Sequence, residues 1–160
     1  MSDRNIDDLH PFVAEACRLT IADCQAKLGV TVIATSTRRV FEEQEALYAI
    51  GRTTHLDCKP VTESKPGHSW HEYALAWDFA PIIGGKAVYG DEKLIQAIAE
   101  IGVSHGLRWG GDAGFVTAGI VDGDHFQMTH GLTIEQALTL YQQGGIQAVW
   151  NAFEAATPAS

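Results

Sequence analysis

Cysteine is scarce in this chain, with only three in 160 residues, and Cys17, Cys24 and Cys58 show no C-x-x-C spacing. An odd set without that spacing argues against both a disulfide framework and a thiolate metal site. Cys17 and Cys24, seven apart in an expected helix, read as small buried hydrophobes, while Cys58 falls in a polar loop. Basic residues are also few: eleven Lys and Arg against twenty Asp and Glu leave a formal charge of -9. Phosphate backbones are bound by clustered cations, so a nucleic-acid partner is excluded. The chain lacks any apolar run long enough to cross a bilayer, and membrane insertion is excluded with it. Its first residues have neither the basic start nor the apolar stretch of a secretory signal, so no export address is expected. An acidic surface is compatible with a small-molecule, peptide or cell-wall substrate.

What is present is 46% hydrophobic residues in a chain of a length that fills one core. One domain over residues 1–160 is expected, with its core from about residue 5 to 153. Apolar residues at helical spacing predict a helix from Ile6 to about Leu28, stopped by Gly29. Val30–Ala34 reads as a buried strand leading into the polar run Thr35–Arg39. Phe41–Ile50 reads as a second helix with Leu47 and Tyr48 inward, ended by Gly51. Residues 52–68, rich in Pro, Gly and small polar residues, form a long loop of the kind that is usually functional.

ALAWDFAPI alternates, with Leu75, Trp77 and Phe79 on one face and Ala76, Asp78 and Ala80 on the other. Gly84-Gly85 suits a hairpin turn, and Asp91 caps a third helix running to about His105. Short strands are expected at Leu107–Trp109 and His125–Met128, on either side of the glycine-rich GGDAGF segment. Thr133 and Gln136 form a capping box for a helix to Gln142, and Gly144-Gly145 separates it from a last helix through Phe153. The tail ATPAS is expected to fray. The mixture of short strands and helices is α+β, and no internal repeat is visible.

The chemistry concentrates in HSWHEYALAWD, residues 68–78, and in DGDH, residues 122–125. A catalytic zinc takes three protein ligands and leaves a fourth position for water, and two imidazoles with one carboxylate meet that need. His71, Asp78 and His125 are the candidate ligands, with His68 the rival to His71. Asp78 shares its expected strand face with two alanines, which leave room for a metal and a substrate. His125 and Gln127 share a face, with Phe126 and Met128 turned to the core. Asp122 is the candidate general base and later acid, with Asp124 its rival. Strand direction alone separates neither pair of rivals.

SWHEYALAWD resembles the S-x-H-x-x-G-x-A-x-D motif of the M15 peptidases, and DGDHFQ is similar to that family's D-x-x-H-F-[EQ] segment. The family includes D-alanyl-D-alanine carboxypeptidases, vancomycin-resistance dipeptidases and the L-alanyl-D-glutamate endopeptidases of phage endolysins. The resemblance implies zinc ligation by His71, Asp78 and His125, and a catalytic role for Asp122. TSTRRVFEEQEALYAIGRT is similar to the family's T-S-x-Y-R-S-x-x-x-Q-x-x-L-Y-x-x-G-R-T segment. It places Arg39 at the functional arginine and Gln44 at the glutamine, while the motif serine falls on Ser69. KPVTESKPGHSWH is similar to the loop of the endopeptidase branch, so the resemblance spans about residues 31 to 131. Ala74 stands where the motif has glycine, and Arg38 where an aromatic is common.

The resemblance implies a small antiparallel sheet flanked by helices, the hedgehog and DD-peptidase type of fold. It further implies a Zn2+ cofactor, a peptidoglycan stem peptide as partner, and cleavage between L-Ala and D-Glu. Arg39 would stabilise the developing oxyanion, against the simpler alternative of pairing with Glu42 or Glu43. Ser69 and Gln44 would bind substrate or support the site through hydrogen bonds, and Trp70 is the one aromatic near the motif with a candidate binding role. A D-alanyl-D-alanine carboxypeptidase is the rival chemistry, and a non-catalytic zinc-bearing binding domain is the rival class. Without a signal or a wall-binding domain, the chain fits a monomeric phage-type endolysin that accumulates in the cytoplasm and reaches the wall after release.

Overall fold

The computed structural model describes residues 3–112 and 122–156. The last part of the glycine-rich run, residues 113–115, and the expected frayed tail beyond 156 lie outside the described residues.

The first helix begins later than its periodicity suggests. Residues Ile6–Asp8 form a 3-10 turn, and α1 runs from Pro11 to Asp23. Proline suits the first helical position and pushes the preceding residue out of the α region, so His10 becomes the cap, accepting from the Phe12 amide at 3.1 Å. A wider π-type turn, Cys24–Leu28, follows, and Gly29 at φ 65° ends it as expected. Both helical cysteines are buried and Cys58 is exposed.

β1 spans Thr31–Ser36, beginning just after Val30 and running past Ala34 to Ser36, and α2 spans Phe41–Ala49. Leu47 and Tyr48 are only half-buried in α2, and the buried position is Gln44. Leu47 lines a cleft and the Arg52 guanidinium lies over the Tyr48 ring, while Phe41 is the residue of α2 that packs against the core, so the inward assignment of Leu47 and Tyr48 is corrected. β2, Ala76–Ile83, turns through Gly84-Gly85 into β3, Lys86–Ala87. α3 spans Glu92–Ser104 and is capped by Asp91, whose carboxylate accepts from the Leu94 amide at 3.1 Å.

β4 is Arg108–Trp109 and β5 is His125–Gln127. α4, Ile134–Ala155, starts on the Thr133–Gln136 capping box and is broken at Gly144 and Gly145, whose backbone angles are not helical. The described strands form an antiparallel sheet in the order β1-β2-β5-β4, with β3 on β2. Trp77, Phe79 and Phe126 stack in the core beneath it, fully buried. Ala76 and Ala80 are covered as well, so Asp78 alone of its alternate set opens to the cleft. α3 packs on the core face of the sheet close to β5 at Gly102, where a Cβ would lie 2.4 Å from the Phe126 ring.

Candidate metal centre and active site

β2 and β5 pair so that Asp78 sits directly opposite His125. Cross-strand neighbours project to the same side of a sheet, which brings Asp78 Oδ1 within 2.9 Å of His125 Nδ1. His71 arrives from the 3-10 turn Trp70–Tyr73, just ahead of β2, and its Nε2 lies 3.2 Å from the same oxygen. One ligand atom from each of the three falls within 4.8 Å of the others. A tetrahedral metal with bonds of ~2.1 Å separates its ligands by roughly 3.4 Å, so the two short separations need open by only a few tenths of an ångström to admit one.

The hydrogen bonds behind the imidazoles settle what they present. His71 Nδ1 donates to the Thr37 carbonyl at 2.8 Å, and His125 Nε2 donates to Gln127 Oε1 at 3.1 Å. In the neutral form each ring therefore turns a lone pair toward Asp78, and three acceptors face one point. Such a set requires a cation or added protons between its members. Burial raises the Asp78 carboxyl, but the two imidazoles outweigh it and hold it far below the usual range. Burial lowers His125, yet its hydrogen bond to Asp78 and the charge there carry it above its ordinary value. The donor set fits a divalent metal with borderline ligand preference.

Asp122 hangs at the cleft mouth by backbone bonds: its amide donates to the Gly110 carbonyl at 3.1 Å, and its carbonyl accepts from the His125 amide at 3.2 Å. Its carboxylate is half-exposed, 3.9 Å from His125 Nδ1, and lines the cleft. Asp124 is the more buried of the two and does not line the cleft. Burial, a hydrogen bond with Asp122 and the charges of Asp78 and Asp122 push the Asp124 carboxyl up to about 7.

The cleft holds about 500 Å³ and is walled by Arg39, Ser69, Trp70 and Leu47, with the segment 61–64 closing one side. Arg39, and not Arg38, lines it. The Arg39 guanidinium donates to Gln44 Oε1 at 2.8 Å rather than pairing with Glu42 or Glu43, and its amide donates to the His71 carbonyl at 3.0 Å. Glu43 instead accepts from the Val40 amide at the start of α2. Ser69 is on the wall beside His71. Gln44 is fully buried behind Arg39 and does not reach the cleft.

Four contributors escaped the sequence reading. The Thr37 carbonyl orients His71, and a backbone acceptor leaves no trace in residue identity. Glu72, 2% exposed, accepts from the Gly67 and Ser69 amides and so fixes the loop that carries Ser69 and His71. Trp109 Nε1 donates to the Gly123 carbonyl at 2.8 Å, holding the turn after Asp122. At Gly110 a Cβ would lie 2.4 Å from the Asp122 carbonyl oxygen, so only glycine allows that approach. Asp122-Gly123-Asp124 is a sequence that suits a turn, but the approach of Gly110 to it leaves no mark in the sequence.

Residues 62–128 match the family model described as D-alanyl-D-alanine carboxypeptidase, one of the M15 peptidases. The chain is 35% identical over 114 residues to the peptidoglycan L-alanyl-D-glutamate endopeptidase CwlK of Bacillus subtilis, a match covering 66% of each protein. The matched stretch is thus just under two thirds of that relative's length. Among solved structures, the L-Ala D-Glu endopeptidase ChiX of Serratia marcescens superposes with a TM-score of 0.56 at 21% identity, over 81% of this chain and 89% of that one. The vancomycin-resistance D,D-pentapeptidase VanY, determined in complex with Zn(II), gives 0.58 at 18% identity, over 88% and 83%. At these identities the two structures show a shared fold.

Proposed function

The chain belongs to the M15 family of peptidases, and we propose that it is a zinc-dependent endopeptidase cutting peptidoglycan stem peptides between L-Ala and D-Glu. The observation that carries this reading is the convergence of His71, Asp78 and His125 in a cleft, with the Asp122 carboxylate 3.9 Å from His125. The choice of bond is supported by the curated relative, an L-alanyl-D-glutamate endopeptidase, and by the likeness of residues 59–71 to the endopeptidase loop. Action as a phage-type endolysin belongs to the same proposal, supported by that loop.

His71, Asp78 and His125 would hold the zinc, which supplies a Lewis acid that acidifies water to a pKa of about 7 and polarises a carbonyl. Asp122, open to solvent, takes the proton from the attacking water and returns it to the leaving amine. Arg39 donates to the scissile carbonyl oxygen as negative charge builds there. Ser69 hydrogen-bonds the peptide from the wall beside His71. His71 and His125 stay aimed by the Thr37 carbonyl and Gln127.

Converting Asp122 to Ala should abolish hydrolysis of purified peptidoglycan while metal analysis still finds zinc in the protein. Hydrolysis at the wild-type rate would reject the assignment. A second reading, D-alanyl-D-alanine carboxypeptidase, is favoured by the description of the matching family model. Mass analysis of the fragments separates them, because an endopeptidase exposes a new D-Glu amino terminus and a carboxypeptidase releases free D-Ala.

A further inference from the structure

The cleft wall at residues 61–64 has no regular secondary structure, and side chains of and beside α2 hold it. Arg52 donates to the Thr62 carbonyl at 3.0 Å and pairs with Glu63 at 2.9 Å. Gln44 holds the other end, its Nε2 donating to the Ser64 carbonyl at 2.6 Å and lying 3.4 Å from Thr62 Oγ1. The opposite end of the same amide, Oε1, accepts from Arg39 Nη1 at 2.8 Å. A guanidinium carries donors only and a carbonyl accepts only, so the amide can be oriented in one way. Gln44 is fully buried, and an amide in that position keeps both bonds because water cannot replace either.

We propose that Gln44 is a positioning residue that ties the 61–64 strap to the Arg39 guanidinium, so that a peptide lying along the strap is registered at the arginine. The inference rests on the reading of Arg39 as donor to the scissile carbonyl. The tie has two separable halves. Gln44→Glu keeps an acceptor for Arg39 but turns a second carboxylate oxygen against the Ser64 carbonyl, which breaks the strap half. Gln44→Met has neither donor nor acceptor and breaks both.

Steady-state kinetics on a purified stem peptide, with the zinc-loaded full chain, should show the two variants failing differently. Gln44→Met is expected to lower kcat about 30-fold, since an ångström of misplacement costs up to about a hundredfold. Gln44→Glu should raise KM about tenfold while kcat stays within about threefold, because the arginine keeps its partner. In an Arg39→Ala background, Gln44→Met should cost less than about twofold more in kcat, since a residue acting through Arg39 has nothing left to act on. Zinc content and thermal midpoint are measured alongside. Equal losses with and without Arg39, or identical behaviour of the Glu and Met variants, would overturn the tie. Should the wild type leave stem peptides intact, the substrate assignment fails by itself. NMR of the Arg39 guanidinium then decides the tie: its Nη rotation should be slower in the wild type than in Gln44→Met, and equal rates would sink the proposal.

Discussion

Ala74 holds a left-handed backbone at φ 58°, ψ 31°, at the position where the motif it resembles has glycine. The left-handed region costs a residue with a Cβ about 1–2 kcal/mol, while glycine gives back roughly 0.5–1 kcal/mol through its freer unfolded chain. The Ala74 methyl is also fully buried and its loss costs about 0.8 kcal/mol, so the three effects nearly cancel and Ala74→Gly should leave the melting midpoint within about 2 °C of the wild type. Differential scanning calorimetry of the two proteins checks it. Gly110 poses the opposite case. An added methyl there meets the Asp122 carbonyl oxygen and the Cβ atoms of both His125 and Asp122, so Gly110→Ala should lower kcat by about a hundredfold and weaken metal binding with it, read by kinetics beside metal analysis. That His71, Asp78 and His125 converge could be expected from the sequence because imidazoles and carboxylates carry their chemistry in their names, although only the motif resemblance set His71 apart from His68. The Thr37 carbonyl and the space at Gly110 could not, since both are properties of the backbone.

Among the elements, those with local signals read clearly. Asp91 and Thr133 cap α3 and α4 where the sequence placed them, and the alternation of β2 separates Trp77 and Phe79 from Asp78. Elements whose limits or faces depend on neighbours did not. The periodicity before Pro11 carries no record of the turn at Ile6–Asp8, and α2 presents Leu47 to a cleft that its own sequence cannot reveal. The junction of α1 with the end of α4 has a consequence for pH. His10 is buried there against Trp150 and Phe153, with Glu154 on its Nε2 at 2.8 Å. Burial lowers its pKa more than Glu154 raises it, and His130 nearby lowers it further. The unfolded chain therefore binds the proton more readily, at its ordinary value of 6.5, and stability falls as the pH drops through that value. Urea midpoints measured at about pH 7.5 and about pH 5.5 should decline in the wild type, and His10→Asn should flatten part of that decline. An identical slope in both proteins would contradict the assignment.

At the scale of the molecule, the α+β class followed from short alternating segments among helices, whereas the order β1-β2-β5-β4 did not. Pairing β2 with β5 joins segments 47 residues apart, and no local pattern encodes such a partner. That pairing governs what metal removal should do. Two of the three proposed ligands are fixed by backbone bonding across the sheet and the third by the Thr37 carbonyl, so the metal-free protein should stay folded. Zinc at about 100 times its dissociation constant adds about 2.7 kcal/mol by linkage. For a chain of this size that corresponds to a midpoint higher by about 5–10 °C. Melting curves with zinc and with a chelator test this, and Asp78→Ala should lose the difference. Activity should vanish with the chelator and return with added metal.

The Asp78–His125 pair, locked in register by main-chain bonds, has a practical reach as well. A receptacle that survives emptying can be reloaded with a different ion, and cobalt(II), which accepts similar ligands, would turn a colourless protein into one whose visible spectrum reports ligand number and geometry directly. The strand pair thus makes the centre open to spectroscopy in solution, with titration of the spectrum following each ligand substitution in turn.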